Sequence, residues 1–190
     1  MKTDINLVKK ENSFFFKEVK KKEEIKVKEE CDGYFICNEE KEVRRIISFL
    51  KEKKIKKQIA LFSQNVGEIR RFIETIKKFD YLVSPEFNEG KDSLKQRSSG
   101  LNEYLVKECA KKKIKILISL SFLESKDNFE KAKIISRIIQ NIKLCRKKNC
   151  EIKIASFSKE KFFDKLERER IGFSLGMSSQ QVSKCSIFED

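Results

Sequence analysis

The chain has 190 residues, none of them histidine, and carries 44 Lys and Arg against 30 Asp and Glu, a formal charge of +14 at pH 7. The missing histidine removes the commonest general base and the commonest metal ligand, while the cationic excess makes a polyanion the default partner. The length suffices for one domain with a real core. With one Pro, six Gly and no Ser/Gly/Pro-rich stretch, nothing reads as a linker, so residues 1–190 are expected to form a single domain.

In chain order, Asp4–Val8 and Phe14–Val19 have strand character and Ile25–Lys28 reads as a third short piece; the Lys/Glu run between them is a solvated surface. Tyr34–Cys37 reads as a strand, followed by a helix with Val43, Ile46, Ile47 and Leu50 on one face and Asn38 as its candidate cap. Gln58–Phe62 is the next strand, and Val66, Ile69, Ile73 and Ile76 mark the next helix. Tyr81–Ser84 then leads into a loop from Pro85 to Arg97 and a helix expected to open at Ser98-Ser99-Gly100 and run to about Lys112. Ile114–Leu120 is the clearest strand. A long helix from about Asn128 to Lys148 places Ile135, Ile138, Ile139, Ile142 and Cys145 on one face and Lys133, Arg137, Gln140 and Lys147 on the other. Glu151–Ser156 is a last strand, and a helix through Ile171–Leu175 ends at Gly176 as a C-cap.

Strands alternating with helices require crossover connections and a parallel sheet. About seven mostly parallel strands predict an α/β fold, a trimmed or irregular TIM-barrel-like (β/α) barrel with surrounding helices; an open doubly wound sheet is the competing architecture. No N-terminal apolar run is long enough for a signal peptide or a membrane span, which predicts a cytoplasmic protein. Of the six cysteines, Cys145 and Cys150 satisfy the zinc-ligand pair spacing loosely and Cys31 and Cys37 do not, and no histidine completes a mixed site, so they are expected to be structural or tolerated thiols.

Functional residues in either architecture gather at the C-terminal strand ends. Those ends hold Ser, Asn and Lys, with Glu86 and Glu124 as their carboxylates. That is a poor supply for a two-metal centre, even with Asp4 added, and neither a metal site nor a catalytic residue is predicted. There is no P-loop and no dinucleotide fingerprint. Gly172–Gly176 fits the letters of a nucleophile elbow but lies within a helix and has no histidine to activate Ser174. The loop Asn88–Arg97 is more promising: Lys91, Lys95 and Arg97 precede the expected helix start, where a phosphate could sit between Arg97 and the first amides. A solvated loop with ordinary capping serines is the alternative. The 16 Phe and three Tyr could stack on bases, although core packing explains most of them.

Residues from about 80 to 186 resemble the TIM-like protein subunit of ribonuclease P, archaeal protein component 3 and its thirty-kilodalton eukaryotic relative. The stretches that carry the resemblance are Asp80–Pro85 (DYLVSP), Arg97–Leu105 (RSSGLNEYL), Ile118–Leu120 with Leu123, Glu130–Ala132, Arg137–Arg146 (RIIQNIKLCR), Ile154–Ser156, Ile171–Met177 (IGFSLGM) and Gln181–Ser186 (QVSKCS). Each is weak alone; their order and spacing make the match. The N-terminal third agrees only in its strand–helix rhythm and in Ile69-Arg70.

The resemblance implies an accessory RNA-binding subunit that pairs with a small second protein subunit and stabilises a catalytic RNA, which itself removes the 5′ leader of precursor tRNA using Mg²⁺. It carries RNA contacts over to Arg97 and Lys161 first, then Lys91, Lys131, Arg70 and Arg137, and gives Gly100, Asn102, Gly172, Gly176 and Met177 structural roles. The related phosphoesterases of the polymerase and histidinol phosphatase superfamily carry a histidine pair on their first strand, where Asp4-Ile5-Asn6 stands here. Ser121-Phe122 replaces the family's usual Arg-Pro pair, and the sequence ends soon after Ser186, which reads as a reduced version. A metal-dependent phosphoesterase is the alternative function, and a scaffold whose lysines reflect coding bias (35 Lys to 9 Arg) is the third.

Overall fold

A computed structural model describes residues 2, 4–26, 28–93, 97–124 and 127–188. Seven strands, β1 (Asp4–Asn6), β2 (Ser13–Val19), β3 (Gly33–Cys37), β4 (Gln58–Phe62), β5 (Tyr81–Val83), β6 (Lys115–Ser119) and β7 (Ile152–Ala155), form one sheet in sequential order, every neighbouring pair parallel. The described helices are α1 (Glu40–Glu52), α2 (Val66–Thr75), α3 (Glu103–Lys112), the single-turn α4 (Ser121–Glu124), α5 (Asn128–Lys148), α6 (Lys165–Ser174) and α7 (Ser179–Cys185). Short 3₁₀ turns occupy Lys22–Glu24 and Pro85–Phe87.

The period-2 pattern of the strands separates two cores. Tyr34, Ile36, Ile59, Leu61, Leu82, Ile116, Ile118, Ile152 and Ile154 face outward beneath the helices. Their neighbours Phe35, Ala60, Phe62, Tyr81, Val83, Leu117 and Ala155 face inward with Ile5, Phe14 and Phe16. The interior is filled with aromatic rings: Phe35 meets Phe157 edge-on with centroids 4.8 Å apart, and Phe16 meets Tyr81 at 6.0 Å. Phe122 plugs the C-terminal mouth, with its ring centroid 5.2 Å from Phe62 and 5.4 Å from Phe87. Phe188 packs on Tyr81 at the opposite mouth. Nearby, the buried Lys153 amine donates to the carbonyls of Lys184 and Ile187 at 2.8 Å and so caps the end of α7.

Closure occurs between β1 and the segment that follows β7. Phe157 N–H donates to the Ile5 carbonyl (2.9 Å) and Leu7 N–H to the Ser158 carbonyl (3.1 Å). Asp4 Oδ1 accepts from Ser156 N–H at 2.9 Å, and Asp4 Oδ2 lies 3.3 Å from Nη1 of Arg168. Both side chains of that pair are almost completely buried. The barrel reading is therefore the correct one, and the open sheet is not.

Several local expectations are corrected. Residues 25, 26 and 28 form no strand, because the chain turns through the 3₁₀ segment there. Asn38 does not cap α1; its Oδ1 accepts from the adjacent Glu39 N–H, and Glu39 is the cap residue. The third major helix opens at Glu103 rather than at Ser98. Gly100 sits at φ +78°, in the left-handed region that ends any helical run, and Asn102 Oδ1 accepts from Leu105 N–H at 2.9 Å as the N-cap. On α5 the inward face holds Ile134, Arg137, Ile138, Asn141, Ile142 and Cys145, while Ile135 is exposed. Gly176 follows α6 at φ +84°, as a C-terminal glycine should. Cys109, Cys145, Cys150 and Cys185 are buried, and all six thiols are free.

Removing one partner of the Asp4–Arg168 pair strands the other charge, which typically costs about 3–5 kcal/mol. Chemical denaturation should show Asp4→Ala losing stability on that scale. Asp4→Asn, which keeps an acceptor for Ser156 N–H, should lose less. Equal losses would mean that the acceptor contributes nothing.

Candidate nucleic-acid interface

The loop that follows β5 is the most organised irregular segment of the barrel, and a buried cation builds it. Arg137, 1 % exposed, reaches from α5 with Nη1 donating to the carbonyls of Glu86 and Asn88 (3.0 Å each) and Nη2 to that of Gly90 (2.5 Å). Its Nε donates to Asp92 Oδ1 at 2.9 Å. The Asn88 side chain ties the loop's ends: Nδ2 donates to the carbonyls of Pro85 and Ser98, and Oδ1 accepts from Gly90 N–H and the Ser98 hydroxyl. Arg137 was expected on the solvent face of α5 as an RNA contact. With its donors spent on the protein it cannot meet a phosphate, and its role is to position the loop.

The same loop removes the anion site expected before α3. Ser98 N–H donates to Asp92 Oδ1 (2.7 Å) and Ser99 N–H to the Arg97 carbonyl (2.9 Å), so those amides are occupied. Arg97 itself faces Asp92 at 3.6 Å. Lys95 lies outside the described residues.

The remaining candidates stand on separate elements. Lys161, between β7 and α6, is exposed and lies 3.4 Å from Glu124. Arg70 on α2 pairs with Glu74 one turn on. Lys91 is exposed and Lys131 half-buried, and neither forms an ion pair among the described residues. The structure thus brings Arg97 and Arg137 together on Asp92 and leaves the others dispersed, Lys161 and Arg70 beside a carboxylate and Lys91 and Lys131 without one among the described residues.

Two features at this end were not anticipated. The Ser121-Phe122 pair supplies the ring that seals the mouth. Glu86 is fully buried between Ser84, Asn141 and Arg137, and burial raises its carboxyl to about 7. Among the described residues no group of three or more Cys, Asp or Glu converges as a metal-ligand set. Asp4 and Asn6 are engaged in barrel closure: Asn6 Nδ2 donates to Asp4 Oδ2 at 3.2 Å, and Asn6 Oδ1 accepts from Ser158 N–H.

Reasoning about strand tips also passed over the lysines that directly precede strands, in Lys53–Lys57, Lys77-Lys78 and Lys111–Lys113. Their signal was present in the sequence as a basic run repeated before β4, β5 and β6.

Seven parallel strands ringed by helices, with a positioned loop after β5, define a (β/α) barrel of the TIM type. No family model matches the chain, and neither does any curated protein. The fold is similar to that of a chain in a cryo-EM structure of archaeal ribonuclease P with mature tRNA, with a TM-score of 0.73 and 18% sequence identity over 96% of this chain and 87% of that one. The likeness in fold extends through the N-terminal third, where the sequence offered only rhythm.

Glu86 carries a pH signature. Its carboxyl is held neutral in the folded protein up to about pH 7, against an ordinary value of 4.5. The stability it contributes is present in full below the ordinary value and is lost as pH rises through 7. Glu86→Gln should match the parent protein near pH 4.5 and exceed it at pH 8, by up to about 3 kcal/mol on the scale of 1.36 kcal/mol per pKa unit. Urea denaturation at the two pH values measures this; a pH-independent difference would place the charge elsewhere. Arg137→Lys, which cannot reproduce the fork of donors, should cost roughly 2 kcal/mol or more in the same assay and should expose the 86–98 loop to limited proteolysis.

Proposed function

We propose that this chain is a protein subunit of ribonuclease P, an accessory RNA-binding component that stabilises the catalytic RNA for removal of the 5′ leader from precursor tRNA. The observation that carries the reading is the fold match over nearly the whole chain to a chain of archaeal ribonuclease P. The net charge of +14 supports it by suiting the chain to a polyanion. In this reading the chain contributes no catalytic residue. Bond breaking belongs to the RNA and its Mg²⁺, while the protein neutralises phosphates, holds RNA elements in place and pairs with a small second protein subunit. Precursor tRNA is met indirectly. Among the described residues no helix is long and apolar enough to cross a membrane; the cytoplasm is the compartment that suits this role.

The closing of the C-terminal mouth by Phe122 and Phe87 also supports an accessory role. Enzymes on this fold keep their reacting groups at that mouth, and here aromatic rings occupy it.

Reconstitution tests the reading. Precursor-tRNA cleavage by the cognate catalytic RNA should proceed at lower Mg²⁺ with the chain and its small partner than without them, and the protein alone should cleave nothing. RNA affinity should fall with salt by about 0.7–0.9 log units per neutralised phosphate per log unit of salt. Turnover of phosphoesters by the purified chain with Mn²⁺ or Mg²⁺ would instead support the phosphoesterase reading. Failure to retain structured RNA at moderate salt would support a protein scaffold.

A further inference from the structure

The geometry points to the N-terminal end of the barrel, the rim opposite the strand tips, as the surface that grips the RNA phosphate backbone, through Lys53, Lys54, Lys56, Lys77, Lys78 and Lys113. This rests on the proposed RNA-binding role and assigns its face.

In a sequential parallel barrel, the turns that lead into neighbouring strands lie side by side. β4, β5 and β6 are consecutive neighbours, with Ala60 opposite Tyr81 and Tyr81 opposite Lys115. The turns before them therefore form one continuous stretch of rim, composed of residues 53–57, 76–80 and 113–114. All six lysines are exposed, and none forms an ion pair among the described residues. The carboxylates closest along the chain are mostly engaged: Asp80 accepts from Ile59 N–H (2.8 Å), Glu74 pairs with Arg70, and Glu108 with Lys111. Glu52, at the end of α1, and Asp80 form no ion pair among the described residues, and Asp80 is held by the Ile59 N–H.

Helix ends alone do not account for these charges. Helix C-termini face this rim and attract cations, but at the end of α2 another lysine already serves the carbonyls. Lys112 Nζ donates to the carbonyls of Ile73 and Glu74 at the end of α2, and Lys57 Nζ to those of Glu29 and Cys31. Two of the free lysines also occupy left-handed backbone positions, Lys54 at φ 53° and Lys113 at φ 58°. Glycine or asparagine fits such a position with less strain, and Asn149 takes the equivalent place after α5.

The opposite rim has the reverse character. Helix N-termini face it, and their amides are occupied by the protein's own side chains: Asn65 on α2, Asn102 on α3, Asp127 on α5 and Asp164 on α6. Three of its cations, Lys159, Lys161 and Arg97, face Glu18, Glu124 and Asp92, Lys20–Lys22 run directly into Glu23 and Glu24, and Lys91 stands without an ion pair among the described residues.

The partner chemistry follows from what the basic rim lacks. Among the described residues the exposed large apolar side chains are Val66, Tyr104, Phe129, Ile135, Leu166 and Phe173, and none belongs to these turns. Protein interfaces depend on apolar or aromatic anchors, whereas a cationic surface without them suits phosphates held by charge.

The test compares two sets of substitutions that remove equal charge. One carries Lys56→Gln, Lys77→Gln, Lys78→Gln and Lys113→Asn, the asparagine suiting the left-handed position. The other carries Lys91→Gln, Arg97→Gln, Lys159→Gln and Lys161→Gln. Filter binding to the cognate ribonuclease P RNA across a salt series should show the first set lowering the salt slope by about 3 and weakening affinity at least tenfold at 0.15 M salt. The second set should change the slope by less than 1. Circular dichroism melts check that both sets fold. Equal losses in the two sets, or a larger loss in the second, would overturn the assignment. Competition by polyglutamate as effective as competition by RNA would overturn the phosphate specificity. An unaltered chain that neither binds the RNA nor assists precursor-tRNA cleavage would instead overturn the subunit reading beneath it.

Discussion

Asp4 joins the two ends of the sheet. One carboxylate oxygen accepts the N–H groups of Ile5 and Ser156, and the other faces the buried guanidinium of Arg168. A seven-stranded ring must join a three-residue first strand to a four-residue last one, which leaves few main-chain bonds at the seam. The Asp4 side chain replaces the missing ladder, and Arg168 compensates its charge from α6. Leaving that carboxylate buried without the arginine would cost more than the seam's hydrogen bonds return. The first strand's polar side chains are therefore structural, and the aromatic interior depends on a closed wall around it.

The large elements were legible because their patterns are strong. β4 and α5 are recovered at their observed bounds from apolar periodicity alone, and the order of elements requires crossovers. What escaped were positions where residue type and periodicity disagree. Arg137 lies three residues after Ile134 and four before Asn141, squarely on the buried stripe of α5, yet its charge argued for solvent. It is buried because four oxygen-bearing groups of a distant loop converge on it, and that convergence depends on tertiary structure. The start of α3 escaped for a related reason. Ser98 and Ser99 look like caps, but their groups serve the loop, and the true cap, Asn102, needs the left-handed turn at Gly100 before it. The candidate cations were legible as residue types; the carboxylates set against most of them come from elsewhere in the chain or from the next helical turn.

Phe122 and Phe87 bear on what the C-terminal mouth can do. Rings packed edge-to-face over Phe62 and Phe157 fill the space where a substrate would enter a TIM-type enzyme. Arg137 and Asn88 hold the neighbouring loop in one shape, and the fully buried Glu86 beneath it favours the neutral acid. That end of the barrel is built for rigidity.

The polarity of the fold explains why the charges divide as they do. A parallel (β/α) barrel directs every helix N-terminus towards the strand tips and every C-terminus the other way, so dipoles alone would draw anions to the tips. Here Asp127 and Asp164 occupy two of those helix starts and Asn65 and Asn102 two more, which turns the attraction inward. At the other end, α1, α2 and α3 finish beside exposed lysines, while Lys112 serves the last carbonyls of α2. Six of those lysines have no carboxylate partner among the described residues, so repulsion among them raises the free energy of the unbound protein. A phosphate backbone relieves that repulsion and releases its own counterions in the same step. The rim that is electrostatically least satisfied in isolation is therefore the one with most to gain from a polyanion.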